Sequence, residues 1–203
     1  MAEVRAFVAL LLDPAVRAAL GAAIEGLRPA ARGVAWVAPD NLHLTLKFLG
    51  GVDADRLGDV LAALAPAAAG VAPFDAVVRG LGAFPTAPRP RVIWAAVVEG
   101  AEALAALAAR VDGALAALGF PRATRPFAPH VTLGRVRVPR REPALAAALA
   151  AGAARDFGRV RLARVSLMRS ELSPRGSRYT ELGSAPLGAV SDSPDIDGTA
   201  GPS

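Results

Sequence analysis

The sequence predicts a mixed helix and strand protein built from two similar lobes. Apolar segments of strand length alternate with segments of helical periodicity, and Gly and Pro separate them. The same order of segments occurs twice, and the spacing agrees, because Ala6 precedes His43 by 37 positions and Val92 precedes His130 by 38. Internal duplication explains this agreement most simply.

The first half contains the signals for three strands and two helices. Asp13 is suited to cap a helix that has Pro14 at its first position. Gly50–Gly51 closes the second strand, and Gly70 and Pro73 end the second helix. We expect strands at residues 6–12, 42–49 and 74–81, and helices at residues 13–26 and 53–69.

The second half repeats the pattern after a loop rich in Pro and Arg at residues 82–90. Gly119 and Pro121 stop the long helix of this half. We expect strands at residues 92–98, 130–138, 159–169 and 178–182, and helices at residues 101–118 and 142–151. Strand order and direction stay open at this point.

Length and composition indicate a single domain. The chain has 203 residues, 53% of them hydrophobic, which is enough for one core. We expect residues 1–183 to form this domain, and residues 184–203, rich in Ser, Pro, Gly and Asp, to be a disordered tail. No apolar stretch has the length of a membrane span, and the N-terminal apolar run is too short for a secretory signal. We therefore expect a cytoplasmic protein without a membrane partner, and a monomer.

The lack of cysteine and the net charge limit the kinds of site that the protein can contain. The chain has no cysteine, which excludes disulfides, thiolate zinc sites and cysteine nucleophiles. Three of the 18 acidic residues lie in the tail, which leaves 15 acidic against 23 basic side chains, a charge of +8, for residues 1–183. A basic body attracts polyanions such as nucleic acid, although a composition with 23 basic residues that include one lysine also fits biased codon usage.

The two histidines of the chain lie in matching tetrapeptides, His-Leu-Thr-Leu from His43 and His-Val-Thr-Leu from His130. Because side chains alternate along a strand, His43 shares one face with Thr45, and His130 shares one face with Thr132. If the lobes face each other across a pseudo-two-fold axis, both pairs converge on one cleft.

Two histidines on opposite sides of one phosphorus can supply the acid and the base that phosphodiester cleavage needs. Thr45 and Thr132 can donate to the non-bridging oxygens. Further candidates for phosphate binding flank the motifs: Lys47, Arg125 and Arg135.

Other interpretations of these residues are weaker. A single histidine on a strand is usually structural, but two histidines in matching motifs favour a functional role. A metal site needs three or four ligands, and no further His, Cys or close carboxylate cluster supplies them, so we expect no metal and no cofactor. A serine hydrolase is disfavoured because no Gly-x-Ser-x-Gly elbow occurs. Phe48, Phe127 and Trp36 can stack on bases, although aromatics beside strands are more often core.

These residues resemble the 2H phosphoesterase superfamily, and within it the RNA 2',3'-cyclic phosphodiesterases, also called 2'-5' RNA ligases. The resemblance runs over residues 4–183. It is carried by three segments: 5–10 (RAFVAL), 41–50 (NLHLTLKFLG) and 125–135 (RPFAPHVTLGR).

The resemblance implies a bilobal α+β fold, with two antiparallel sheets lining a central cleft and helices outside. It implies hydrolysis of an RNA 2',3'-cyclic phosphate to a 2'-phosphate, with His43 as proton donor and His130 as proton acceptor. It also implies weak, reversible 2'-5' ligation of RNA ends. The residues alone leave the two histidine roles interchangeable.

Two alternative functions remain. One is a cyclic phosphodiesterase for a small nucleotide of the ADP-ribose cyclic phosphate type. The other is a catalytically idle RNA-binding module, which would not require two complete motifs. A basic rim beyond the cleft, at residues 89–91 and 135–141, would favour RNA over a small nucleotide.

Overall fold

The computed structural model describes residues 2–173 and 176–188. In this part of the chain, four α-helices and nine strands alternate much as the sequence predicts. The strands are β1 (Glu3–Leu11), β2 (Val34–Trp36), β3 (His43–Asp53), β4 (Phe74–Thr86), β5 (Arg89–Glu99), β6 (His130–Val136), β7 (Asp156–Leu162), β8 (Arg164–Ser173) and β9 (Gly176–Pro186). The helices are α1 (Pro14–Leu27), α2 (Leu57–Ala69), α3 (Ala101–Ala117) and α4 (Pro143–Ala151).

The strands form one curled antiparallel sheet in the order β7-β4-β5-β6-β3-β1-β8-β9, and β2 pairs with the free part of β6. The α+β class is confirmed. The two expected sheets are continuous with each other, because Leu44 of β3 pairs with Val131 of β6. This residue pair joins the strands β3-β1-β8-β9 of the first lobe to the strands β6-β5-β4-β7 of the second.

The lobes are interleaved along the chain. In the first half, β1 and β3 belong to the first lobe, whereas α1 packs against β7 of the second lobe. In the second half, β5, β6 and β7 belong to the second lobe. β4 leaves the first half and pairs with β5 and β7, whereas β8 leaves the second half and pairs with β1 and β9. The pseudo-two-fold relation therefore exchanges strands, which periodicity in the sequence does not reveal.

The main core lies between the helices and one face of the sheet. In β1, the side chains of Ala6, Val8 and Leu10 belong to this core, whereas Phe7 and Ala9 alternate with them and join a second cluster. That second cluster also contains Met168, with Leu11 and Tyr179 packed against it. It forms an apolar floor on the opposite face of the first lobe, which is the face of the cleft.

Three sequence expectations need correction. Residues 82–90 are not a loop, because β4 and β5 form a hairpin that turns at residues 87–88. Its two inner prolines, Pro85 and Pro90, pair with each other near the turn, where a missing N–H interrupts little of the ladder. Residues 159–169 belong to two strands, β7 and β8, which are separated at Ala163. β7 pairs with β4 in the second lobe, and β8 pairs with β1 in the first.

The boundary of the tail also differs from the expectation. β9 continues to Pro186, and Ala185 and Leu187 are buried, so ordered packing passes the predicted boundary at residue 183. The rest of the predicted disordered tail, residues 189–203, lies outside the described residues. None of the helices in the described part of the chain is long and apolar enough to cross a membrane.

The pairing of Leu44 with Val131 gives a stability prediction. Leu44 is 1% exposed, and Leu44→Ala leaves a cavity where the lobes join, so we expect the free energy of unfolding to fall by about 2–5 kcal/mol. Leu172→Ala is the matched control, because Leu172 is 71% exposed and its loss should cost under about 0.5 kcal/mol. Urea unfolding of both variants measures the difference, and equal midpoints would contradict the assigned role.

Candidate active site

The two His-x-Thr motifs lie side by side where the lobes meet. β3 begins at His43 and β6 begins at His130, and the next residues, Leu44 and Val131, pair with each other and are buried in the core. In this antiparallel register each histidine lies opposite the threonine of the other motif. Because side chains alternate, both histidines and both threonines project from the face opposite the core, into the cleft.

A bulge in β3 adds Phe48 to the cleft. The register against β1 shifts by one residue at Leu46, so Leu46 has no partner in the ladder. Strict alternation would place Phe48, five positions after His43, on the core side. The bulge turns it to the cleft side, where it is 63% exposed and its ring centroid lies 6.1 Å from that of Phe7.

An equivalent bulge in β6 adds Arg135. Here the register against β5 shifts at Leu133, because Trp94 pairs with Thr132 and the preceding residue of β5 pairs with Gly134. Arg135, five positions after its histidine, therefore shares the cleft face. The two lobes thus place an aromatic ring and a guanidinium group at equivalent positions.

Backbone hydrogen bonds fix both imidazole rings. Nδ1 of His43 donates to the carbonyl of Asn41 at 2.7 Å, and Nδ1 of His130 donates to the carbonyl of Ala128 at 2.6 Å. A carbonyl can only accept, so each Nδ1 carries a proton and each Nε2 is the nitrogen left for chemistry. Nε2 of His43 lies 2.9 Å from Oγ1 of Thr45, whose hydroxyl donates to the neutral ring.

Aromatic rings hold the imidazoles from the side. The ring of His43 lies 4.8 Å from Phe7 and 5.3 Å from Tyr179, which meets it edge-on. The ring of His130 meets Phe84 edge-on at 5.2 Å. These contacts restrict ring rotation and exclude water from one side of each histidine.

Burial and positive charge lower the pKa of both histidines. For His43 and His130 alike, burial is the largest cause, and the hydrogen bond to a backbone carbonyl opposes it. The guanidinium group of Arg135 lowers the pKa of both rings, and His130 also lowers that of His43. One cation therefore acts on both histidines, which shows that the three groups share one electrostatic site.

Lys47 borders the cleft and holds a loop. Its side chain is 9% exposed, and its ammonium group pairs with Asp112 of α3 and donates to the carbonyl of Pro121 at 2.6 Å. Asp112 also accepts from the backbone N–H of Ala123 at 3.0 Å and lies 3.8 Å from Arg122. The hydrogen bond from Lys47 is the largest cause that lowers the pKa of Asp112.

The cleft contains a cavity of about 980 Å³ beside these groups. Loop residues 121–128, which Asp112 holds, form one wall and include Arg125 and Phe127. The strands supply the remaining predicted side chains to the lining: Thr45, Lys47, Phe48, His130, Thr132 and Arg135. His43 lies on the other border, where a second cavity of about 470 Å³ begins next to Asn41 and Tyr179.

Four side chains were not predicted from the sequence: three rings that contact the histidines, and Asp112 beneath the loop. Phe84 was assigned to a loop, and Phe7 and Tyr179 were not singled out, although Tyr179 is the one tyrosine of the chain. Asp112 had a signal, because it is the one acidic residue between Glu102 and Glu142. Within residues 2–173 and 176–188, no group of three His, Cys, Asp or Glu side chains is arranged to hold a metal ion.

This two-lobed fold with paired His-x-Thr motifs has clear relatives. A family model described as the 2'-5' RNA ligase superfamily matches residues 14–174. An RNA 2',3'-cyclic phosphodiesterase of Methanothermobacter thermautotrophicus is 37% identical over 180 residues, 89% of this chain and 97% of that protein. One of Thermus thermophilus is 41% identical over 185 residues, 88% of this chain and 87% of that protein. The chain belongs to the 2'-5' RNA ligase superfamily.

Solved structures agree on the fold. The structure of TT0787 from Thermus thermophilus superimposes with a TM-score of 0.74 at 36% identity, over 91% of this chain and 98% of that one. E. coli LigT complexed with 3'-AMP superimposes with a TM-score of 0.70 at 24% identity, over 92% of this chain and 99% of that one. The second comparison supports the fold alone.

The ion pair beneath the cavity loop gives a further prediction. In Asp112→Asn the charged partner of Lys47 is lost, so amide hydrogen exchange across residues 119–129 should accelerate by about tenfold. Asp156→Asn is the control, because Asp156 is an exposed carboxylate paired with Arg79 on the edge strand. Unchanged exchange in Asp112→Asn would show that the loop does not depend on this pair.

Proposed function

We propose that this protein hydrolyses RNA 2',3'-cyclic phosphate ends to 2'-phosphomonoesters, with His43 and His130 as the acid/base pair. One observation carries the proposal: two matching His-x-Thr motifs face the cleft from strands that pair where the lobes join. The relatives named RNA 2',3'-cyclic phosphodiesterase, at 37% and 41% identity over most of both chains, support the same activity.

The reaction needs one proton removed and one supplied. Nε2 of His130 accepts a proton from water as its oxygen attacks phosphorus in line with the 3' oxygen. The bond from phosphorus to the 3' oxygen breaks, and protonated Nε2 of His43 donates its proton to that oxygen. The product carries a 2'-phosphate and a 3'-hydroxyl. The assignment of donor and acceptor follows the family resemblance, because the two rings are held alike.

The remaining predicted residues take supporting roles in this proposal. Thr45 and Thr132 donate to non-bridging oxygens, and Arg135 balances the charge that develops on them. Its planar guanidinium group can bind two oxygens at once. Phe48, exposed over the cleft, offers a stacking face to a base.

The loop residues 121–128 can contact the same substrate from the wall of the cavity opposite the strands. Arg125 is exposed at the cavity and can bind a phosphate oxygen, and Phe127 lines the cavity while it packs against the core. Lys47 was a candidate for phosphate binding, but its ammonium group is engaged by Asp112 and Pro121. We therefore assign Lys47 to holding the loop.

Ligation is the same displacement with a different nucleophile. If a 5'-hydroxyl of a second RNA end takes the place of water, attack at phosphorus forms a 2'-5' linkage and His43 again protonates the 3' oxygen. We propose that this reaction is weak, because water competes for the same position in an open cleft. Neither reaction as written requires a divalent metal ion.

Alanine variants test the acid/base pair. His43→Ala and His130→Ala should each lower kcat for a short RNA with a 2',3'-cyclic phosphate end by about 10²- to 10⁴-fold with EDTA present. Wild type should release the 2'-phosphate isomer, identified by chromatography against both isomers. Unchanged thermal unfolding midpoints serve as the control for folding. Wild-type levels of turnover in either variant, or loss of wild-type activity in EDTA, would contradict the mechanism.

The pH dependence follows from the lowered pKa values. Turnover needs one ring neutral and the other protonated, so kcat/KM should be bell-shaped, with limbs that belong to the pair. The pKa of both rings is lowered from the ordinary 6.5 in the free protein. The maximum of kcat/KM should therefore lie below about pH 6.5. A plateau that extends above pH 7 would contradict this expectation.

A further inference from the structure

Two long stretches of the chain contain no acidic residue. Residues 76–98 and 113–141 have no Asp or Glu. Together they carry nine arginines, at positions 79, 89, 91, 122, 125, 135, 137, 140 and 141. The remaining segments contain both acidic and basic residues, so positive charge is concentrated in these two stretches.

The fold joins the arginine-rich ends of these stretches. β5 pairs with β6, with Val92 opposite Arg135. The backbone N–H of Glu142 donates to the carbonyl of Pro88 at 3.3 Å, which brings the segment after β6 against the turn of the β4–β5 hairpin. Four exposed arginines therefore gather at one end of the second lobe, and we name them the basic surface: Arg89, Arg91, Arg137 and Arg141.

The basic surface is not neutralised by the described residues. Glu142, the acidic residue next to it, pairs with Arg140 at 2.5 Å. Among residues 2–173 and 176–188, none of its four arginines forms a salt bridge with a carboxylate. Arginines on β7 differ, because Arg159 pairs with Glu99 and Arg161 pairs with Asp75. A persistent positive potential at one place is the property that binds polyanions.

The basic surface continues directly from the site. Arg135 lines the large cavity and acts on both histidines, and Arg137, the first residue after β6, follows it two residues along the chain, about 7 Å away. A chain of phosphates that starts at the histidines therefore passes from Arg135 onto the basic surface. A mononucleotide, held at the cavity, has no further phosphate to place there.

We propose that the basic surface binds the backbone phosphates of the RNA strand that precedes the cyclic phosphate end. The inference rests on the proposed function and refines its substrate class, since it makes an oligonucleotide the preferred substrate over a mononucleoside 2',3'-cyclic phosphate. Its contacts are to phosphates, so they add affinity without base preference and weaken with salt.

The test compares two substrates and two variants. Arg89→Gln/Arg137→Gln/Arg141→Gln should raise KM for a twelve-nucleotide RNA with a 2',3'-cyclic phosphate end by about tenfold or more. The slope of log KM against log salt should fall by about 2, since each lost contact to single-stranded RNA removes about 0.7. KM for adenosine 2',3'-cyclic phosphate should stay unchanged. The matched control is Arg79→Gln/Arg155→Gln/Arg159→Gln, which removes the same charge at the other end of the lobe.

The outcomes separate this inference from the proposed function. Equal effects on both substrates, no effect on RNA, or an equal effect of the control triple would overturn the basic surface while leaving the hydrolase intact. If wild type hydrolyses neither substrate, the proposed function fails. Fluorescence anisotropy with a labelled twelve-nucleotide RNA ending in a 3'-phosphate then decides the inference, because the variant must still bind about tenfold more weakly than wild type and the control.

Discussion

The antiparallel pairing of Leu44 with Val131 determines the geometry of the site. Both side chains are buried, so both strands must present their neighbours to the opposite face. Each histidine then lies across from the threonine of the other lobe, and two motifs 87 positions apart in the chain form one constellation. A shift of one strand by one residue in this register would turn its histidine into the core and leave the other histidine without a partner across the cleft. The stability of the lobe junction and the chemistry of the cleft thus depend on the same contact.

The two lobes are similar in backbone, but they present different side chains to the cleft. Equivalent bulges re-aim the fifth residue after each histidine, but the first lobe has Phe48 there and the second has Arg135. One lobe thus offers an apolar face suited to a base, and the other offers a cation suited to a phosphate. The contact that holds the cavity loop, between Lys47 of β3 and Asp112, also belongs to one lobe alone. Because the two sides of the cleft differ in this way, a substrate with a base at one end and a phosphate at the other can bind in one orientation.

Periodicity in the sequence predicts most of the elements and the placement of His43 and His130, because strand alternation and a repeated tetrapeptide are local signals. Three features depend on pairing between distant strands and carry no such signal. The crossing of β4 and β8 between lobes is one, and the continuous sheet is another. The third is the bulges, without which strict alternation places Phe48 and Arg135 in the core. Lys47 is a similar case. Its position near a histidine in the sequence predicted phosphate binding, but its ammonium group binds Asp112 on α3, a contact that no local pattern reveals.

The most direct test of the central claim is whether both histidines respond to one anion. Histidine ring resonances followed by NMR through a pH titration, with and without the 2'-phosphate product adenosine 2'-phosphate, report the pKa of each ring. We expect saturating product to raise the pKa of His43 and His130 together, with one shared dissociation constant, and inorganic phosphate to do the same more weakly. A rise at one histidine alone, or two different dissociation constants, would contradict a single phosphorus site between the two rings.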